Sequence, residues 1–359
     1  MAAGKNVKQR IYFYAPNLNQ PSAGMGVLLK HATILANYGY QVTILYTPTP
    51  TAQHTPTGET LFEIFQPTWL EFSLDTLRFV ALGQQIITTT HGKKLQCRSI
   101  RFRPDDLLVL PEGSVDVLST LAANDCQKVV LAQSYSYIFP ALPPKKTWAD
   151  YDLTHCITLS EGISHFIHRY MPTVHTQRVH FSIDSTLFKP TIKQPKISYI
   201  CRDDMTRLRL ETAVKIFYTL YPNYEYFLFQ ELSGLPRNEF AQQLAISTFA
   251  LFNDDIAALS MLPLEAMACH THVIGWKTYG IEEYITPDNG FWVPGGDVMA
   301  LGEKIGEVVD LYVKRQLDEQ KLIDNYQKTL LPFTVQREES EVIEAYQTVM
   351  QTQNLSSSD

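Results

Sequence analysis

Arg10-Ile11-Tyr12-Phe13-Tyr14-Ala15, then Gly24-Met25-Gly26, then Gly39-Tyr40-Gln41-Val42-Thr43-Ile44-Leu45-Tyr46 is the stretch whose reading decides the fold class. The first run is apolar without interruption and short enough to be a buried strand. A loop carrying Pro16, Pro21, Gly24 and Gly26 follows it. An amphipathic helix is expected from Val27 to Tyr38, with Gly39 stopping it, and Gln41 to Tyr46 reads as a second strand. Strand, glycine-bearing loop, helix and strand make a βαβ unit, which implies a parallel sheet.

The same alternation continues outward. Asp106 to Leu110 reads as a strand ending at Pro111-Glu112-Gly113, Lys128 to Ala132 as one ending at Gln133, and His155 to Leu159 as one followed by a helix start at Ser160-Glu161. Short apolar strands between helices are the mark of a doubly wound sheet, whose ligands bind at the carboxyl ends of the strands. The Gly24–Gly26 loop, Glu112 and Gln133 belong to that edge. Ser182 to Lys196, with Pro190 and Pro195, reads as an interdomain linker. Beyond it come strand Ile197 to Cys201, a helix from Leu208 to Leu220, strand Tyr226 to Gln230, a helix over Arg237 to Ser247, strand Phe249 to Phe252, a helix over Pro263 to Cys269 and strand His272 to Trp276. Asp297 to Tyr326 is expected as one long helix and Val335 to Gln351 as another. The expected fold class is therefore α/β, with two Rossmann-like doubly wound parallel-sheet domains facing a cleft. The domains span 1–182 and 183–334, and the helical segment 335–359 is able to cross back to the first.

Composition narrows the function classes. A chain of 359 residues exceeds what one core usually holds, which agrees with two domains. Thirty basic against thirty-seven acidic residues give a net charge of −7, so the surface is not one that wraps nucleic acid through its phosphates. The five cysteines, Cys97, Cys126, Cys156, Cys201 and Cys269, form no CxxC pair and no zinc-ligand spacing with histidine, and are expected as reduced thiols of a cytoplasmic protein. No metal site is expected, because the histidines show no paired-ligand spacing. No apolar run reaches the roughly twenty residues of a membrane span. The stretch Leu61 to Ile87, rich in Phe, Leu and Trp, is open to two readings: a buried helix-and-strand segment, or a peripheral contact with a membrane that carries a lipid-linked acceptor.

The most informative segment is Phe249-Ala250-Leu251-Phe252 through Leu262-Pro263-Leu264-Glu265-Ala266-Met267-Ala268-Cys269. Pro263 suits the first turn of a helix. Glu265 suits it too, because the macrodipole favours an acid there. With Val273-Ile274-Gly275, Gly280-Ile281-Glu282-Glu283-Tyr284-Ile285 and Asn289-Gly290-Phe291-Trp292-Val293, this order resembles the donor site of retaining nucleotide-sugar glycosyltransferases of the GT-B fold. Phe181-Ser182-Ile183-Asp184 with Leu187-Phe188-Lys189-Pro190 resembles that family's interdomain segment, and Gly24, Gly26 and Gly39-Tyr40-Gln41-Val42 resemble its first βαβ unit.

The resemblance implies that Glu265, the second glutamate of a Glu-x7-Glu motif, holds the ribose hydroxyls of the nucleotide. Leu264, Ser260, Gly24 and Gly26 then join the donor site. A carboxylate suits the ribose because it accepts two hydrogen bonds from neighbouring hydroxyls. The motif is degenerate: its first glutamate falls at Ala257, the loop glycines have become Ala258 and Ser260, and His270 stands where the family has Gly. Asp254 or Asp255 is the available substitute carboxylate. Arg202 and Arg207, with Arg209 as the other option, correspond to the basic pair that neutralises the donor diphosphate, which Asp203 and Asp204 partly oppose. Glu112 is the candidate anchor or proton acceptor for the acceptor hydroxyl. The implied activity is transfer of a sugar from a nucleoside-diphosphate donor to a hydroxyl acceptor, lipid-linked or polysaccharide, with retention of anomeric configuration. It calls for no separate cofactor. The altered motif leaves open a second reading, a catalytically inactive GT-B relative acting as a nucleotide-binding or scaffolding partner.

Overall fold

The computed structural model describes residues 9–16, 23–46, 77–81, 87–88, 94–95, 102–118, 126–254 and 260–356. Asp255, Ala257, Ala258 and most of the aromatic stretch from Leu61 lie outside them. The chain divides into two units. One comprises Met1–Leu159, Ser164–Val179 and Glu339–Asp359, and the other Ser160–Ile163 and His180–Glu338.

In the first unit, strands β1 (Arg10–Ala15), β2 (Gln41–Tyr46), β3 (Arg78–Ala81), β4 (Leu107–Pro111), β5 (Gln127–Ala132), β6 (His155–Thr158) and β7 (His175–Arg178) form one sheet in the order β3-β2-β1-β4-β5-β6-β7. All its pairings are parallel. Consecutive residues of β1, β4 and β5 are buried on both faces, which is why Ile11–Ala15, Leu107–Leu110 and Val129–Ala132 read as apolar runs and not as alternating ones. Strand order reverses between β1 and β4, and in open α/β sheets such a switch point is where ligands bind, at the carboxyl ends of the strands.

Helix α1 (Ala23–Asn37) corrects one expectation: Gly24 and Gly26 lie inside its first turn, not in a loop ahead of it. A glycine there costs up to about 1 kcal/mol against alanine. At Gly24 the reason for accepting that cost is visible, since a Cβ would come within 3.1 Å of the Gln133 side chain. At Gly26 no such neighbour exists. Helix α2 (Glu161–Tyr170) follows β6.

The second unit carries β8 (Gln194–Tyr199), β9 (Leu228–Glu231), β10 (Ser247–Phe252), β11 (His272–Lys277) and β12 (Phe291–Pro294) in the order β9-β8-β10-β11-β12, again all parallel. Its helices are α3 (Asp204–Leu220), α4 (Arg237–Ile246), α5 (Leu262–Ala268), α6 (Val298–Val313) and α7 (Glu319–Leu330). Successive residues of β10 point to opposite faces. Phe249 and Leu251 pack with Leu210, Phe217, Leu301 and Ile305 of α3 and α6, whereas Ala250 and Phe252 pack with residues of α4, α5 and α7.

The single helix expected over Asp297 to Tyr326 is two. Arg315 adopts a left-handed backbone (φ 55°) just after α6, and Asp318 then caps α7 by accepting from the Lys321 N–H. A residue in that conformation ends a helix, and an aspartate cap starts the next. Helix α8 (Val335–Ser356) completes the chain. Its Tyr346 is fully buried, with its hydroxyl 3.4 Å from His31 Nδ1, and Gln353 pairs through its amide with the Lys128 backbone. These contacts tie residues beyond Glu339 to the first unit.

The α3–α6 contact depends on small residues. A Cβ at Gly302 would sit 2.7 Å from Ile216 Cβ and 2.8 Å from the Ala213 carbonyl oxygen. Gly302→Val is expected to lower stability by about 2–3 kcal/mol through overpacking against backbone, read as a reduced melting midpoint by circular dichroism. An unchanged midpoint would show that the two helices have room to part.

Candidate functional site

In the second unit the candidate residues gather at the carboxyl edge of the sheet. Strand β8 runs out into Ile200-Cys201-Arg202 and β10 into Asn253-Asp254. Because β8 and β10 are neighbours across the switch point, Arg202 and Asp254 meet and form an ion pair between Nε and Oδ2. The Arg202 side chain is half exposed and Asp254 largely buried. Asp254, the candidate substitute for the lost carboxylate, is therefore engaged by one of the candidate phosphate-binding arginines.

Arg207 stands in the first turns of α3 and makes a bidentate pair with Glu231 at the end of β9, at 2.5 and 2.8 Å. The pairing raises the guanidinium and lowers the carboxyl. Asp203 caps α3, accepting from the Thr206 N–H and hydroxyl at 2.7 and 2.8 Å. These bonds hold Asp203 below the usual carboxylate range. Arg209 is turned to the Trp276 ring, 5.9 Å from its centroid.

Glu265 lies in the first turn of α5 and is 2% exposed. Its Oε1 accepts from Arg237 Nη2 at 2.5 Å. Arg237 is the first residue of α4, and its guanidinium lies 4.6 Å from the Phe188 ring centroid and 5.6 Å from that of Phe240. Burial raises the Glu265 carboxyl above its usual range, and Arg237 opposes that rise by charge and hydrogen bond. Arg237 was not among the residues expected from the sequence. Its only local signal is a place just after Pro236, which marks a helix start and says nothing of a partner.

Leu264 and Ser260, the other donor residues expected in this unit, lie in and just before the first turn of α5. The Leu264 side chain is fully buried in the apolar cluster with Phe252, Met267 and Tyr326, so it presents nothing to a polar ligand. A residue following the first-turn proline at helical spacing from Met267 turns inward with it. Ser260 accepts at its carbonyl from the Tyr284 hydroxyl at 2.6 Å. His270 follows α5 with φ 54°, a left-handed position that favours glycine and that His fills here. The Asn253 side-chain nitrogen is buried without a hydrogen-bond partner at the end of β10.

In the first unit Gly24, Glu112 and Gln133 come together at the switch point. Gln133 Nε2 donates to the Gly24 carbonyl at 2.9 Å, and the Ser134 N–H donates to Glu112 Oε1 at 2.8 Å. Glu112 is 5% exposed, and burial pushes its carboxyl up to about 7 against the pull of the neighbouring backbone N–H groups. A carboxyl poised near neutral pH is suited to exchanging a proton. Among the described residues no group of three or more His, Cys, Asp and Glu is placed to hold a metal ion. No described helix is long and apolar enough to cross a membrane.

Comparison with known proteins places these residues in context. Residues 232–328, which include Arg237, Asp254, Ser260 and Glu265, match the family model "Glycosyl transferases group 1". The chain is 26% identical over 135 residues to an alpha-1,6-glucosyltransferase of Actinobacillus pleuropneumoniae serotype 7, a span that covers 36% of this chain and 41% of that relative. The whole chain is similar in fold to sucrose-phosphate synthase from Thermosynechococcus elongatus, with a TM-score of 0.68, 14% identity and coverage of 96% and 100%. It is also similar to the pneumococcal O-GlcNAc transferase GtfA in complex with UDP and GlcNAc, with a TM-score of 0.65, 11% identity and coverage of 96% and 99%. The fold is GT-B, two Rossmann-like parallel-sheet domains in one chain.

The raised Glu112 carboxyl has a stability consequence of definite sign. Its folded value of about 7 lies above the ordinary 4.5, so its contribution is fully present below pH 4.5 and is lost as pH rises through about 7. Glu112→Gln removes the titration. Relative to the wild type, this variant is expected to gain on the order of 3 kcal/mol between pH 4.5 and pH 8 in denaturant titrations. Parallel pH profiles for the two proteins would contradict the shift.

Proposed function

We propose that this protein is a glycosyltransferase that moves a sugar from a nucleoside-diphosphate donor to a hydroxyl acceptor with retention of anomeric configuration. The observation that carries the reading is Glu265. It is a buried carboxylate held by Arg237 in the first turn of α5, inside the segment that matches the glycosyltransferase family model. A carboxylate buried among apolar groups is costly unless it has a task or a partner. Here it has the partner, and the ribose hydroxyls supply the task.

In this reading the ribose hydroxyls donate to Glu265 while Arg202 and Arg207 face the diphosphate. Both arginines are paired, with Asp254 and Glu231. Phosphate oxygens would therefore compete with these carboxylates, and the pairs keep the guanidinium groups oriented until a donor arrives. Catalysis then rests on orientation and on stabilising the leaving diphosphate, with charge supplied by the arginines. Glu112 serves the acceptor side as an anchor or proton acceptor. The acceptor is a hydroxyl on a polysaccharide or a lipid-linked glycan, and the reaction is placed in the cytoplasm, where nucleotide sugars are available. The family match over residues 232–328 favours this enzyme over a non-catalytic relative.

Calorimetric titration with UDP, GDP and ADP and their sugar conjugates tests the reading. At least one is expected to bind, and Glu265→Ala to weaken it tenfold or more, as loss of hydrogen bonds to a charged group worth about 1.5–3 kcal/mol implies. Release of nucleoside diphosphate from the donor that binds is the expected sign of turnover. Failure of every nucleotide to bind the folded protein would sink the reading. Unchanged affinity in Glu265→Ala would remove the ribose assignment alone.

A further inference from the structure

Lys193 lies just before β8 and has no part in the site as described. Its Nζ donates to the Ala245 carbonyl at 2.7 Å, to the Cys269 carbonyl at 2.9 Å and to Thr271 Oγ1 at 2.7 Å. The first carbonyl belongs to the last turn of α4 and the second to the residue that closes α5. The Thr271 hydroxyl extends the group, lying 2.8 Å from the Leu244 carbonyl and 3.1 Å from that of Ser247. A helix leaves its last carbonyls without internal partners. An ammonium has three donors, and all three are used here. The cation also sits where the dipoles of two helices favour it. Burial pushes Lys193 down to about 8, so it remains charged at neutral pH.

The same two helices are joined at their other ends. Arg237 opens α4, Glu265 lies in the first turn of α5, and the pair between them is the only described charge contact that links those turns. Helices of ten and seven residues are about 15 and 10 Å long, so each charged tie is within two or three turns of the other. The ties differ in what a ligand does to them. Ribose hydroxyls arriving at Glu265 must share or replace Arg237, whose side chain is about one-third exposed. Lys193 holds main-chain carbonyls and a buried hydroxyl, which a nucleotide does not approach.

We propose that Lys193 is a positioning residue for the nucleotide site, holding α5 against α4 so that Glu265 keeps its place when ribose hydroxyls displace Arg237. This rests on the reading of Glu265 given above and deepens it. Lys193 acts through Glu265 and touches no ligand.

The test has one arm without ligand and one with UDP. In ligand-free protein, Lys193→Met is expected to speed hydrogen exchange across residues 261–268, where the Glu265 N–H bonds the Met261 carbonyl at 2.9 Å, and to leave α6 at its wild-type rate. Unchanged exchange in that segment overturns the proposal. In calorimetry with UDP at a temperature where all variants are folded, Lys193→Met is expected to weaken binding about tenfold and Thr271→Val by less. Lys193→Arg, which keeps charge and donors, is expected to recover most of the loss. In a Glu265→Ala background, Lys193→Met is expected to cost nothing further. A lysine that only stabilises the fold would lower the melting point and leave the UDP affinity unchanged, and that result overturns the proposal, as does an equal loss in both backgrounds. Faster exchange in a protein whose wild type binds no nucleotide would overturn the nucleotide reading while upholding the role of Lys193 in placing α5.

Discussion

Two neighbouring strands can run parallel only if the chain crosses back over the sheet between them, and this constraint governs both units. Each crossover returns the chain to the same edge, so every strand exit falls at one side of its sheet. At the switch point of the second unit, β8 and β10 lie side by side although α3, β9 and α4 separate them in sequence. Arg202 and Asp254, fifty-two positions apart in the chain, meet there for that reason. In the first unit the same rule brings the exits of β1, β4 and β5 to one edge and with them Gly24, Glu112 and Gln133.

Charge collected in this way has to be paired, and the pairs are not equivalent. The Arg207–Glu231 contact is well exposed on the arginine side, so solvent screens it and it adds little to stability. Its value lies in geometry, because a bidentate contact fixes the plane of the guanidinium. The Arg237–Glu265 contact is different, since the carboxylate is almost entirely withdrawn from water. Removing the arginine would leave a buried carboxyl whose charged form is unsupported, and burial already raises it. Nucleotide affinity at such an edge is an exchange of partners: what a phosphate or ribose gains is offset by what Asp254, Glu231 or Arg237 gives up.

The remainder of the second unit holds that edge steady. Gly302 lets α6 approach α3 closely on one face of the sheet, and Gly306 makes room for the ring of Tyr221 just after α3. On the other face Leu264, Ala266 and Met267 anchor α5 in the apolar cluster. Lys193 and Thr271 satisfy the carbonyl ends of α4 and α5 together. The residues that face a ligand are thus few, and most of their neighbours serve to fix where those few stand.

Strand positions were legible from the amino-acid sequence because a strand buried on both faces must be apolar throughout, and runs such as Ile11 to Ala15 and Phe249 to Phe252 satisfy that rule locally. The place of Glu265 was legible for a similar reason, since Pro263 and an acid two residues later mark a helix start whatever lies around them. Local signals also had limits. Glycines and prolines ahead of Val27 looked like a loop, yet Gly24 and Gly26 belong to α1, and the neighbour that crowds Gly24, Gln133, comes from the end of a strand more than a hundred residues away. The left-handed turn at Arg315 that divides α6 from α7 carries no glycine to announce it. Apolar pattern and helix-start chemistry are properties of neighbouring residues, so the sequence by itself determined the parallel α/β class, most of the elements and the acid at the head of α5. Which charges meet is a property of strand order. Only the tertiary structure could decide that Arg237 holds Glu265, that Asp254 holds Arg202 and that Lys193 closes two helices at once.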